Sequence, residues 1–105
     1  MQGVRKAVER VVTEAELKDL HLFMYNAYLA NNMVPSMQET YDAVKKENRQ
    51  LLELIDKKAI YLHTKPTPDG IWACAANAGT TGGFVITKQG VEKITPADFK
   101  KRWNE

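Results

Sequence analysis

Cysteine is nearly absent from this sequence. Cys74 is the only one among 105 residues, so no disulfide can close within the chain and no cysteine-based metal cluster can form. Cysteine usage therefore does not indicate a redox compartment.

Long hydrophobic runs are missing as well. No segment approaches the roughly 20 consecutive apolar residues that span a bilayer. Residues 1–10 alternate charge with valine and lack the apolar run of roughly 7 to 15 residues that forms a signal-peptide core. If the natural protein is exported or anchored, we expect that part to lie outside this sequence.

An excess of either charge is also lacking. Fifteen lysines and arginines face thirteen acidic residues, which leaves a formal net charge of +2. A dedicated binder of nucleic-acid backbone carries more concentrated positive charge. A hydrophobic fraction of 44% with 27% charged residues is typical of a folded protein, and we predict one domain over residues 1–105.

Apolar residues recur at helical spacing over 4–30 and predict a long amphipathic N-terminal helix. Thr13 followed by Glu16 is a capping-box pattern, which predicts an alternative start at Thr13 and would leave residues 4–12 as a strand or arm. Two asparagines and Pro35 end the helix, because proline cannot extend it. We expect the part from Leu20 to Tyr28 to pack on a sheet.

A second helical segment is predicted from Ser36 to about Lys58. Ser36 with Glu39 forms another capping box. The apolar spacing slips near Asn48, so two short helices with a bend there are the alternative to one continuous helix.

Short β-prone segments then follow at 60–63, 71–75, 84–87 and 91–94 and predict an antiparallel sheet of three to four strands. Gly90 suits the turn of the last hairpin. Thr95 and Pro96 begin a short closing helix that carries Phe99 and Trp103. The predicted fold class is therefore α+β, with a long N-terminal amphipathic helix and a second helical segment on the sheet.

The glycine-rich loop at 77–83 is a candidate for binding phosphate through backbone N–H groups. A phosphate loop needs a helix after it, whereas here a strand begins at Phe84. A plain connection between strands is the favoured interpretation.

His21, His63 and Cys74 are the residue types that ligate metals or act as nucleophiles. None stands in a motif that would bring a second ligand or a general base beside it. We predict no catalytic, metal or cofactor residue, and we expect a protein that is not an enzyme.

One basic and aromatic grouping could meet nucleic acid, namely Lys100, Lys101, Arg102 and Trp103 with Lys88 and Lys93. Cations also favour the C-terminus of a helix, and Phe99 and Trp103 stand four residues apart. Docking of this helix onto the sheet is the favoured interpretation.

The order of elements resembles the soluble part of a prepilin-type, type IV pilin-like protein. The stretch VRKA at 4–7, LKDL at 17–20 and the break at Pro35 are similar to the exposed half of a pilin-like helix. The tail GGFV at 82–85, Gly90 and ITPADF at 94–99 are similar to that family's closing hairpin and short helix. The sequence departs from the family in lacking the prepilin cleavage site and the apolar N-terminal half-helix.

The resemblance implies a non-enzymatic, pseudopilin-like part of a bacterial envelope or secretion assembly, joined to a missing anchor. Val4, Val8, Val11 and Val12 would then form an exposed stripe for a protein partner or for self-association. The alternative is a cytosolic binding module that contacts protein or nucleic acid through the basic C-terminal helix. No small-molecule substrate is evident, and nucleic acid is the less expected partner. We expect the protein in the cell envelope or periplasm if the missing anchor is real, and in the cytoplasm otherwise.

Overall fold

The computed structural model describes residues 12–103 and confirms the predicted α+β fold. Within this range, four helices accompany one antiparallel sheet. The elements in chain order are α1 (Glu14–Asn31), α2 (Met37–Glu47), α3 (Arg49–Asp56), β1 (Ile60–Leu62), β2 (Ala73–Ala75), β3 (Gly83–Thr87), β4 (Gly90–Ile94) and α4 (Pro96–Trp103).

The first helix begins at the capping box. Thr13 is extended, its hydroxyl accepts from the Glu16 N–H, and its own N–H donates to the Glu16 carboxylate. These bonds satisfy N–H groups that a helix start leaves unpaired. The continuous helix predicted over 4–30 is therefore wrong at Thr13, and the alternative start is confirmed. Residues 4–11 lie outside the described range.

Asn48 divides the second helical segment. Its backbone is extended, its N–H donates to the Val44 carbonyl, and its side-chain oxygen accepts from the Leu51 N–H. One asparagine thus ends α2 and caps α3. The alternative of two short helices with a bend at this point is confirmed.

The sheet has the strand order β1-β2-β3-β4, and every neighbouring pair is antiparallel. The last two strands form the predicted hairpin, in which Gly90 has a φ of 127°. Only glycine adopts this backbone angle without strain. The closing helix begins as predicted, since the Asp98 N–H donates to the Thr95 hydroxyl.

Successive residues of each strand point to opposite faces of the sheet. One face, here the α1 face, carries α1 with α2 and α3, and its core includes Leu17, Leu20 and Met24. The predicted packing of α1 on the sheet is therefore confirmed. The other face, here the α4 face, is covered by α4, whose Phe99 and Trp103 pack on a smaller core.

The alternation of side chains between the two faces of the sheet is interrupted at Trp72. Ile71 belongs to the core of the α4 face, whereas Trp72 and Ala73 both belong to that of the α1 face. The backbone N–H of Trp72 donates to the Ile86 carbonyl, and Ala73 is paired with the same Ile86. Two residues opposite one is the pattern of a β-bulge. This explains why the regular strand is shorter than the predicted segment 71–75.

Candidate functional site

An apolar groove of about 410 Å³ lies on the α4 face, beside the edge strand β1. We call it the Tyr61 groove. Its floor and its two walls come from β1, β2, α4 and the start of α2. The floor contains Cys74, Ala75 and Ala76, one wall is formed by Met37 and Tyr61, and the other is formed by Phe99 and Trp103.

The wall on α4 is held by aromatic contacts and one histidine. The rings of Phe99 and Trp103 are stacked with centroids 5.2 Å apart. His63 meets the Trp103 ring edge-on at 4.5 Å, and its Nε2 lies 2.5 Å from the Trp103 carbonyl oxygen. Its Nδ1 accepts the Lys65 N–H, so the tautomer with hydrogen on Nε2 fits both contacts. Buried His63 thereby positions Trp103.

The opposite wall is exposed. Met37 and Tyr61 are each 43% exposed, and both are large apolar side chains. A second depression of about 310 Å³ continues from them along the outer side of β1, and we call it the edge depression. Lys58 is the only charged residue that lines either space in the described range. Its φ of 65° is one that a residue with a Cβ adopts only at a cost.

A partner is not expected to bind here by adding a strand to the outer edge of β1. Ile60 is 1% and Leu62 8% exposed, so the outer edge of β1 is largely covered. A further strand cannot reach these backbone groups without displacing what covers them. Recognition at the Tyr61 groove therefore depends on side chains.

The glycine-rich loop 77–83 contributes Gly79 to the lining of the groove, and several of its backbone N–H groups bond within the loop. The Asn77 carbonyl accepts from the N–H groups of Thr80, Thr81 and Gly82, so these donors serve the loop itself. A Cβ on Gly79 would lie 3.2 Å from the Phe99 ring. The loop joins β2 to β3, which confirms the favoured interpretation as a connection, and its small residue lets α4 approach closely.

The predicted valine stripe is not exposed at the one member that the structure describes. Val12 is 4% exposed and belongs to the core of the α1 face. The expectation of an accessible surface is therefore wrong at Val12. Val4, Val8 and Val11 lie outside the described residues.

The two histidines lie on different faces of the sheet. His21 stacks between Tyr25 and Trp72 on the α1 face, with its Nε2 3.3 Å from the Lys88 carbonyl oxygen. His63 contacts α4, and Cys74 is buried in β2 as expected for a small apolar residue. Between residues 12 and 103, no group of three or more histidine, cysteine, aspartate or glutamate side chains could hold a metal ion.

The basic and aromatic grouping is divided between the two faces. Lys88 lies 5.7 Å from the centre of the Tyr28 ring, and Lys93 stands on the α1 face opposite Phe84. The remaining members are on α4, where Arg102 pairs with Glu92 at 3.0 Å. The predicted docking of α4 through Phe99 and Trp103 is confirmed.

Comparison with protein-family models, curated proteins and solved structures gave no match for this chain. Among the described helices, none is both long and apolar enough to cross a membrane. Sequence reasoning missed Met37 and Tyr61 as site residues. The one local signal was Tyr61 itself, an aromatic residue between two apolar neighbours in a three-residue strand.

Proposed function

We propose that this chain is a non-enzymatic interaction domain that binds an apolar segment of another protein in the Tyr61 groove. The observation that carries the proposal is the pair of exposed side chains, Met37 and Tyr61, across an apolar floor from Phe99 and Trp103. Exposed apolar surface of this kind marks interaction sites in soluble proteins.

The groove is suited to an apolar anchor from a partner. Its α4 wall is held in place by the His63 contacts and by the close approach at Gly79. A preformed wall lowers the entropy cost of binding. Tyrosine and tryptophan are also the side chains that most often dominate binding free energy at interfaces.

We further propose that the domain acts as the pseudopilin-like part of a bacterial envelope or secretion assembly. Support comes from the order of elements, in which a helix, a proline break, a helical insert, a sheet and a closing hairpin with a short helix follow one another. This proposal requires an apolar anchor joined to the N-terminal side in the full gene product. The proposal is tested by determining the full coding sequence upstream of this segment and by locating the protein through cell fractionation. A full-length protein without an apolar anchor, found in the cytoplasm, would contradict it.

The alternative is a cytosolic module that contacts protein through α4. It uses the same groove, because Phe99 and Trp103 are α4 residues. Nucleic acid is the less favoured partner, since Lys88 and Lys93 lie away from the basic residues of α4. Salt-dependent binding to mixed DNA or RNA at low ionic strength would favour nucleic acid instead.

Selection of short peptides from a random library on the immobilised domain tests the proposed interaction. We expect enriched peptides with a shared apolar or aromatic anchor, and at least tenfold weaker binding to Tyr61→Ser. Leu22→Ser changes another exposed apolar residue, on α1 and 56% exposed against 43% for Tyr61, and as the matched control it should bind the peptides as wild type does. Equal binding by Tyr61→Ser, or no enrichment at all, would reject the groove as a binding site.

A further inference from the structure

We infer that the partner of the Tyr61 groove is a second copy of this chain, which inserts the exposed ridge of α1. This inference rests on the proposed function and names its partner. The ridge consists of Leu22, Leu29 and Met33, which are the three most exposed large apolar residues of the described chain at 56%, 58% and 70%.

The ridge and the groove are both apolar surfaces. Leu22 and Leu29 are seven residues apart and share one side of α1, and Met33 follows shortly after the helix ends at Asn31. That side points away from the sheet, because the core of the α1 face is built from Leu17, Leu20 and Met24. The ridge thus offers exposed apolar side chains of the kind that an apolar groove binds.

The charges around the two surfaces are opposite in sign. Helix α1 carries three acidic residues, of which Glu16 is buried, and one lysine, whereas α4 carries three basic residues and one aspartate. Glu14 pairs with Lys18 and Arg102 with Glu92, which leaves Asp19 near the ridge. The space beside the ridge is lined by Asp19 and Glu47, and the edge depression by Lys58.

These charges favour contact between unlike faces. Two ridges in contact would bring Asp19 and Glu47 of both copies together, and two α4 helices in contact would bring Lys100 and Lys101 together. Like charges across an interface suppress such pairings. A copy that places its ridge in the groove of the next avoids both and brings opposite charges together.

Such a contact joins two different surfaces of the chain. Each added copy then leaves one ridge free at one end and one groove free at the other, so assembly continues beyond a dimer unless the rotation closes a ring. Few side chains take part. We therefore expect assembly at concentrations on the order of 0.1 to 1 mM, as is typical of small interfaces.

Sedimentation velocity with two complementary variants tests the inference. Tyr61→Ser removes the groove wall and keeps the ridge, whereas Leu29→Ser removes the ridge and keeps the groove. Wild type is expected to grow past the dimer as concentration rises, and less so in high salt. Each variant alone should be a monomer, and an equimolar mixture should form a one-to-one dimer that does not grow.

The control is Gln89→Ser, an exposed position on the turn between β3 and β4, which should assemble as wild type does. Both test positions are exposed, and unchanged thermal midpoints confirm that the variants fold. A monomeric wild type at all concentrations, or a mixture that stays monomeric, would overturn the inference. Tyr61-dependent binding of selected peptides would in that case leave the proposed function standing.

Discussion

The two faces of the sheet are built very differently. On the α1 face, thirteen buried residues of the described chain form one core beneath three helices. On the α4 face, five buried residues lie beneath one eight-residue helix that has no fully buried side chain. Burial of apolar surface supplies most of the stability of a fold. The α1 face therefore supplies most of the stability of the fold, and the α4 face, with its smaller core, has room for the Tyr61 groove.

The largest test of this comparison is Trp72→Ala on the α1 face. Trp72 is fully buried, packs against His21 and Tyr28, and donates its indole N–H to the Thr67 carbonyl. Loss of a buried aromatic ring is expected to lower the free energy of unfolding by about 3 to 5 kcal/mol. Chemical denaturation measures this change. A loss below about 1 kcal/mol would contradict the assignment of stability to the α1 face.

Trp103→Ala on the α4 face should cost less. Its ring is only partly buried, so we expect a loss of about 1 to 2 kcal/mol from its contacts with Phe99 and His63. Binding of selected peptides should nevertheless disappear, because one wall of the Tyr61 groove is gone. Denaturation and peptide titration on the same variant separate the two effects. A destabilisation as large as that of Trp72→Ala would remove the distinction between the faces.

Lys58→Gly and Lys57→Gly should change stability in opposite directions. Glycine relieves the left-handed backbone at this position but adds entropy to the unfolded chain, for a net stabilisation of up to about 0.5 kcal/mol. Lys57→Gly is the matched control: its φ is −85°, so glycine there should destabilise by about 0.5 to 1 kcal/mol. Thermal unfolding compares them. Equal effects would show that the backbone at Lys58 is unstrained.

The smallest effect concerns a polar contact at the rim of the α1 face. The Tyr41 hydroxyl donates to the Asp56 carboxylate at 2.8 Å, and this bond raises the pKa of Tyr41 above its ordinary 10.0. The contribution of the bond to stability is thus present below pH 10 and lost as the pH rises through the raised pKa. Near-ultraviolet titration should show the raised pKa of Tyr41, and Asp56→Asn should lower it. No change in that variant would exclude Asp56 as the cause.

The helix ends and the last hairpin could be predicted because their causes are local. Thr13, Ser36 and Thr95 bond to residues three positions away, and such patterns are visible in a sequence. The continuous helix through Thr13 was predicted from apolar spacing alone. Apolar spacing depends only on which side chains are apolar. It does not take into account that the Thr13 hydroxyl bonds to a backbone N–H of the helix that starts there.

The Tyr61 groove could not be predicted, because its walls come from distant segments. Met37, Tyr61 and Trp103 meet only when the edge strand, the start of α2 and the last helix are in place. The bulge at Trp72 is a similar case. It is the pairing of two residues with Ile86 that turns the tryptophan toward α1, and periodicity within one strand does not reveal this.

The shallow seating of α4 has a consequence for motion. A helix without a fully buried side chain opens at a lower free-energy cost than the rest of the fold, so its amide hydrogens should exchange with solvent ahead of those in α1. The same helix forms one wall of the Tyr61 groove. Occupancy of the groove is therefore expected to slow amide exchange at Phe99 and Trp103, so that hydrogen exchange in this helix reports the binding of a partner.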